Sequence, residues 1–324
     1  MLAGVSSGTS SSGRAAIAGA TVAWVAAACL GLPARGQDAA PAAGYATVGD
    51  AVEAAIAFHT VKDYAQGRAA AARALELAGS DAERVRIHRA MLRSYRAAPD
   101  WEPMAESLEF ISDTSELEAE RSLARRELIA FAHHRGKVDD LVTRCEERLA
   151  RKPENEAVLA TLGEIFMRPK PNPRRAAEML ERLGAVRAKA GRELGVGESA
   201  DLAGEYVKDR RFKQGAELFE KTAAREAKLA AWHWKEAAAA WQKGGDKERS
   251  LAAARAAERS EPEARSDILA HFWHRGLADV YFEAGEFGAS IPHYEEAIRK
   301  TTIDGYRKDC EQRLGEARRK LSAT

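Results

Sequence analysis

His271–Thr302 reads HFWHRGLADVYFEAGEFGASIPHYEEAIRKTT, and this stretch decides the fold. His274, Leu277, Ala278 and Tyr281 recur at helical spacing on a first run. Ser290, Tyr294 and Ala297 do the same on a second run that opens at Phe287, and Glu283–Glu286 (Glu-Ala-Gly-Glu) makes the turn between them. The small side chains of Ala278 and Ser290 let two helices approach closely, while Tyr281 and Tyr294 fill the space between neighbouring pairs. This is a helical hairpin with one apolar seam. A single hairpin cannot bury that seam alone, so the pattern predicts stacked copies.

Copies are found upstream. Met91, Leu92 and Tyr95 stand at the same offsets before a Pro99-Asp100-Trp101 turn, with Met104 and Leu108 on the following helix. Leu159, Leu162, Gly163 and Phe166 open a further unit. Leu202-Ala203-x2-Tyr206 leads to Phe212, Gly215 and Phe219, and Trp234-x2-Ala237-Ala238-x2-Trp241 leads to Ser250, Ala254, Ala257 and Pro262. An alanine-faced hairpin is predicted over Ala51–His59 and Tyr64–Leu77. Another turns at Arg135-Gly136-Lys137, with Leu128 and Leu141 on its seam and Cys145 where Tyr294 stands later. Seven hairpins result, followed by a charged helix, Tyr306–Leu321, that caps the stack. Between Lys221 and Trp241 no Gly or Pro marks a turn, so one long helix stays open there.

These positions resemble the tetratricopeptide repeat (TPR). Leu277-Ala278-x2-Tyr281 stands for that family's Leu-Gly-x2-Tyr, and Ser290-x3-Tyr294-x2-Ala297 for its Ala-x3-Phe-x2-Ala. Trp234 and Pro262 match the family's Trp and terminal Pro, whereas His274 and Thr302 depart from them. The resemblance covers about Ala51 to Thr302. It implies an all-α, right-handed superhelical solenoid of antiparallel helix pairs that binds a protein or peptide on its concave face, without catalysis of its own. That face would be built by the first helix of each pair, which here carries His88, Arg125, Glu164, Glu205 and Glu236.

The N-terminus is of another kind. Ala15–Ala34 is uncharged and mostly apolar, and small residues flank Arg35 as at a signal-peptidase site. Residues 1–36 are therefore read as a signal peptide or a retained anchor (15–34), which predicts an exported protein, periplasmic or extracellular. Residues 37–50 form a flexible lead, 51–190 N-terminal hairpins, 191–304 C-terminal hairpins, and 305–324 the polar cap and tail. Fifty basic and 49 acidic residues give a net charge of +1, which indicates neither a nucleic-acid binder nor an acidic tail. After removal of 1–36 only Cys145 and Cys310 remain, too far apart in a solenoid to pair.

Chemistry is sparse. No phosphate-binding loop, nucleophile elbow or HExxH pair occurs. His271 and His274 share a helix three residues apart, but no Asp, Glu or Cys stands at ligand spacing on the same face, so the reading is packing, with no metal or cofactor. The candidate partner-binding residues are Trp232, the odd one out of a Trp232-His233-Trp234 cluster, and Arg168, Lys170, Arg174 and Arg175 around a Pro169-Lys170-Pro171-Asn172-Pro173 loop expected to project. Function then reads as a non-catalytic scaffold of the cell envelope with an unspecified protein or peptide partner. A self-assembling repeat protein, sticky at its Ala51 end, is the alternative, and a helical-repeat enzyme the more distant one. Membrane contact is expected only if the N-terminal segment is retained.

Overall fold

The structure, a computed structural model, describes residues 44–260 and 266–323. The signal or anchor reading of 1–36 and the match at Pro262 lie outside these residues. Within them the chain is all helix: seven antiparallel pairs and a terminal helix. The pairs are α1 (Val48–Thr60) with α2 (Tyr64–Leu77), α3 (Asp81–Ala97) with α4 (Glu102–Thr114), and α5 (Glu118–His134) with α6 (Val138–Arg151). Next come α7 (Glu156–Met167) with α8 (Pro173–Lys189), and α9 (Val196–Lys208) with α10 (Phe212–Arg225). The last are α11 (Ala230–Lys243) with α12 (Lys247–Arg259), α13 (Asp267–Glu283) with α14 (Phe287–Lys300), and finally α15 (Asp304–Ser322).

The turns explain why the pairs repeat. Five hairpins are joined by three residues, the middle one in the left-handed region: Lys62, Gly136, Arg210, Gly245 and Gly285. Glycine adopts that conformation freely, whereas the two side-chain-bearing residues do so at a cost. Side-chain oxygens of Thr47, Asp63, Ser80, Asn155, Asn172, Asp246 and Ser266 cap the helices that follow them.

Packing is layered. One core runs from Ala55 to Tyr206, a second from Ala203 to Tyr281, and a third joins Ala278, Phe282, Tyr294 and Ala297 to Cys310, Leu314 and Ala317. Helix α9 gives Leu202 and Tyr206 to the first core and Ala203 to the second, while α13 gives Leu277 and Tyr281 to the second and Ala278 and Phe282 to the third. Each shared helix seals two layers with two of its faces, which is the logic of a solenoid. Helix α15 is amphipathic, and its buried side closes the last layer. Ala278 and Ser290 are fully buried between α13 and α14, as the closeness of the pair requires. Cys145 and Cys310 are free and buried, and desolvation pushes their thiols up to about 12 and about 11, well away from reactivity.

Four expectations are corrected or refined. No long helix crosses 222–240: the chain breaks at 226–229, where the Leu229 N–H donates to the Glu226 carbonyl at 3.2 Å and the Ala230 N–H to Ala227 at 3.3 Å. No side chain caps α11, so the break is set by packing of α10 on α11 and has no local signal. The proline loop does not project. The Lys170 and Asn172 N–H groups donate back to the Ile165 and Phe166 carbonyls at 3.0 and 2.8 Å, and Asn172 and Pro173 start α8. In the last two hairpins the first seam position lies one residue earlier than read, with His233 and Trp273 buried and Trp234 and His274 half-buried, while Leu277, Ala278, Tyr281, Ala237, Ala238 and Trp241 are buried as read. Finally, Ala51 itself is fully buried, while exposed apolar side chains stand at Ile56 and Val61 in the same hairpin and at Ile268, Leu269, Phe272 and Ile303 near the other end.

Candidate functional site

First helices of successive hairpins touch along the stack, α1 with α3, α5 with α7 and α11 with α13. On this face lies an open groove of about 630 Å³. Helix α5 lines it with Ser122, Arg126, Ile129, Ala130 and His133, which share one stripe of the helix because they are spaced by three and four residues. Helix α7 adds Glu164 and Met167, the turn after it Arg168 and Pro169, and α9 contributes Asp201. Three consecutive hairpins therefore build one surface, with an aliphatic strip (Ile129, Ala130, Met167, Pro169) edged by charge.

The charges are arranged rather than scattered. Arg125, 7% exposed, points from α5 to α7 and donates from Nε to Glu164 at 2.6 Å, with Nη2 also reaching Ser122 at 3.5 Å. This partly buried ion pair ties the two groove walls together. Arg126 and Arg168 remain exposed at the groove. Desolvation in the groove raises the Asp201 carboxyl above its usual range, with Arg168 opposing and Glu164 adding to the shift. The groove can thus take an apolar side chain flanked by polar groups, and Met167 supplies a wall that adapts to shape.

A second hollow of about 390 Å³ lies where the ends of α4 and α8 meet the starts of α5 and α7. Most of its cations are already engaged. Arg187 pairs with Glu156 at 3.2 Å and also with Glu198, Arg192 pairs with Glu156, and Arg121 holds Glu118 and the Ser115 carbonyl. Its charges tie hairpins together and leave little for a ligand.

The residues singled out from the sequence are dispersed. Arg168 lines the groove, and Arg174 is exposed at the start of α8. Lys170 and Arg175 are turned toward α6, where they pair with Asp139 and Glu146, and the Arg175 guanidinium lies 4.0 Å from the Phe166 ring centroid. Trp232 is half-buried against the second core, with the Lys235 ammonium 5.2 Å from its ring. Of the residues assigned to the first-helix face, Glu164 reaches the groove, Arg125 and Glu205 are buried, and His88 bonds to Ser107 at 3.0 Å. Glu236 is exposed on α11 and pairs with Lys235 at 2.8 Å. The sequence reading missed Arg126, Ile129, His133, Met167 and Asp201. The stripe on α5 was available as a helical period, but nothing in it announces a ligand.

No protein-family model matches the chain, and no curated protein matches it either. Repeated hairpins, shared helix faces and buried motif positions decide the architecture. The chain is an all-helical repeat protein of stacked antiparallel hairpins. Among solved structures it is similar to one described as the crystal structure of MamA (14% identity, TM-score 0.42, 52% of this chain and 91% of that one). Another is MamA MSR-1 C2 (18% identity, TM-score 0.41, 56% of this chain and 96% of that one). A third is the TPR2AB-domain:pHSP90 complex of yeast Sti1 (12% identity, TM-score 0.32, 83% of this chain and 98% of that one). No helix of the described residues is long and apolar enough to cross a membrane.

Proposed function

We propose that this TPR-like chain is a non-catalytic scaffold that binds an extended polypeptide segment along the first-helix face of its third, fourth and fifth hairpins. The observation that carries the reading is the groove itself: an aliphatic strip crossing three repeats, with Arg126 and Arg168 set against Glu164 and Asp201. Its ligand is a segment with an aliphatic side chain over Ile129 and Met167, an acidic residue toward the arginines and a basic one toward Asp201. Selection from a displayed peptide library with the full chain tests this. Enrichment of that pattern, and loss of the enriched peptides' binding in Ile129→Lys and Met167→Lys, is the expected result. Enriched peptides that bind both variants as well as the parent would refute the groove as the site.

The cell-envelope location is part of this proposal and rests on the sequence of 15–34 alone. Fractionation of the source cells with N-terminal sequencing of the protein tests it. An N-terminus near Gln37 in the exported fraction supports it, and an intact Met1 in a soluble internal fraction contradicts it.

A second reading, self-assembly, has one observation in its favour. Ile268, Leu269 and Phe272 at the start of α13 and Ile303 before α15 are exposed together, with Phe272 against Tyr306 at 5.3 Å between ring centroids. Sedimentation of Phe272→Glu beside the parent separates the readings. Self-assembly through this patch requires the parent to be oligomeric and the variant monomeric.

A further inference from the structure

Helices α13 and α14 bring two histidines face to face in a way that packing does not require. His274 Nδ1 lies 3.2 Å from His293 Nδ1. Only one hydrogen fits between two such nitrogens, so at least one of them presents a lone pair to the other. The other end of His293 is fixed: its Nε2 is 2.9 Å from Glu258 on α12. Tyr281 holds the same assembly from the side, its ring stacked on His293 with the centroids 5.8 Å apart. Three helices from two hairpins thus set one imidazole in place and aim its Nδ1 at a second.

We propose that His274 and His293 form a two-histidine site for a divalent late first-row metal ion, with the Glu258 carboxylate behind His293 and water completing the shell. Two nitrogens bound at tetrahedral angles to one zinc ion stand ~3.3 Å apart, given metal–nitrogen bonds of about 2.0–2.1 Å. The separation in the protein already matches that bite. A carboxylate on the far nitrogen of a metal-binding histidine is the usual outer partner, which fixes the tautomer and strengthens the donor. Here it places the hydrogen of His293 on Nε2 and frees Nδ1. Both imidazoles lie mid-helix and are half-buried, so an ion and its waters can reach them. Among the described residues no group of three or more His, Cys, Asp and Glu side chains is placed to hold a metal, so the site has two protein ligands and solvent. Imidazole donors and open geometry favour copper(II), nickel(II) and zinc(II) over calcium or magnesium.

Binding joins α13 to α14 and, through Glu258, the seventh hairpin to the sixth. It would therefore tighten the C-terminal end of the solenoid rather than perform chemistry. The histidine pair and the peptide groove lie in different hairpins.

The test is calorimetric titration of the untagged full chain with zinc(II) and nickel(II), with magnesium(II) as control. One saturable site per chain for zinc and nickel, none for magnesium, and a raised Tm in the loaded protein are expected. His274→Gln and His293→Gln should each abolish the site, and Glu258→Gln should weaken it by about 10- to 100-fold. His134→Gln, at an exposed position outside both sites, should leave it unchanged. A readout that does not depend on the histidine variants folding comes from Trp273, whose ring lies 4.8 Å from His274 and 6.1 Å from His293. Paramagnetic nickel or copper should quench part of the tryptophan emission, zinc should not, and Trp273→Phe should keep the stoichiometry while losing most of the quenching. No saturable binding below about 100 μM would overturn the proposal. So would undiminished binding in both histidine variants.

Discussion

At Gly215 a Cβ atom would stand 2.9 Å from the Ala203 carbonyl oxygen and 2.7 Å from Val207 Cγ2. Helices α9 and α10 are that close because position 215 has no side chain, and backbone cannot swing aside as a side chain can. Gly215→Ala should therefore lower stability by about 1–3 kcal/mol, measured as a fall in the urea midpoint, although alanine is the better helix former. His88 gives a second expectation. Burial beside Phe110 and Ser107 lowers its pKa to about 4. The unfolded chain takes up that proton near pH 6.5 and the folded chain does not, so the contribution is complete above about pH 6.5 and is lost as pH falls toward 4. The parent's Tm should decline more over that window than the Tm of His88→Gln. Residue-level reading of the sequence worked for the small seam positions Ala278 and Ser290, because helix contact leaves no alternative there. It failed by one step at His233 and Trp273. Adjacent positions on a helix differ by only about 100°, and only the neighbouring helix decides which of the two points inward.

At the scale of elements, the hairpin turns and the terminal helix carry the fold's repeatability. Gly136 and Gly285 sit in the left-handed region at φ 66° and 78°. Gly136→Ala and Gly285→Ala should each cost about 1 kcal/mol, whereas the same backbone already carries side chains at Lys62 and Arg210. Equilibrium unfolding of the single variants checks this, and Arg210→Gly should be neutral or slightly stabilising. A chain ended at Ile303 would uncover Phe282, Tyr294 and Ala297, which α15 covers with Cys310, Leu314 and Ala317. Its last hairpin should lose hydrogen-exchange protection while the first four keep theirs, because repeats depend on their neighbours alone. These elements were legible wherever a turn residue or cap announced them. The break at 226–229 was not, since neither glycine, proline nor a capping side chain marks it. The proline loop was misjudged because three prolines exclude helix but do not say where the remaining N–H groups bond, and these turn back onto α7.

For the whole molecule, the sequence pattern held the architecture but little of the site. Seven seams with period-spaced small and aromatic residues are a consequence of stacking, and stacking can be read from a chain. A groove is different: Arg126 and Ile129 on α5, Met167 and Arg168 at the end of α7 and Asp201 on α9 become neighbours only after three hairpins have stacked. No spacing in the sequence links them. Arg168 was found because it is a cation beside a conspicuous loop, and Lys170 and Arg175 stand at that loop too yet are held by Asp139 and Glu146 on α6.

The most direct measurement is photo-cross-linking in the source cells with a benzophenone amino acid at Ala130, in the groove, and separately at Lys221, exposed on the second-helix side at α10. A scaffold that holds an extended segment on its first-helix face should give discrete adducts from Ala130, mapped to one short stretch of the partner, and none from Lys221. Adducts from Lys221 with none from Ala130 would contradict it.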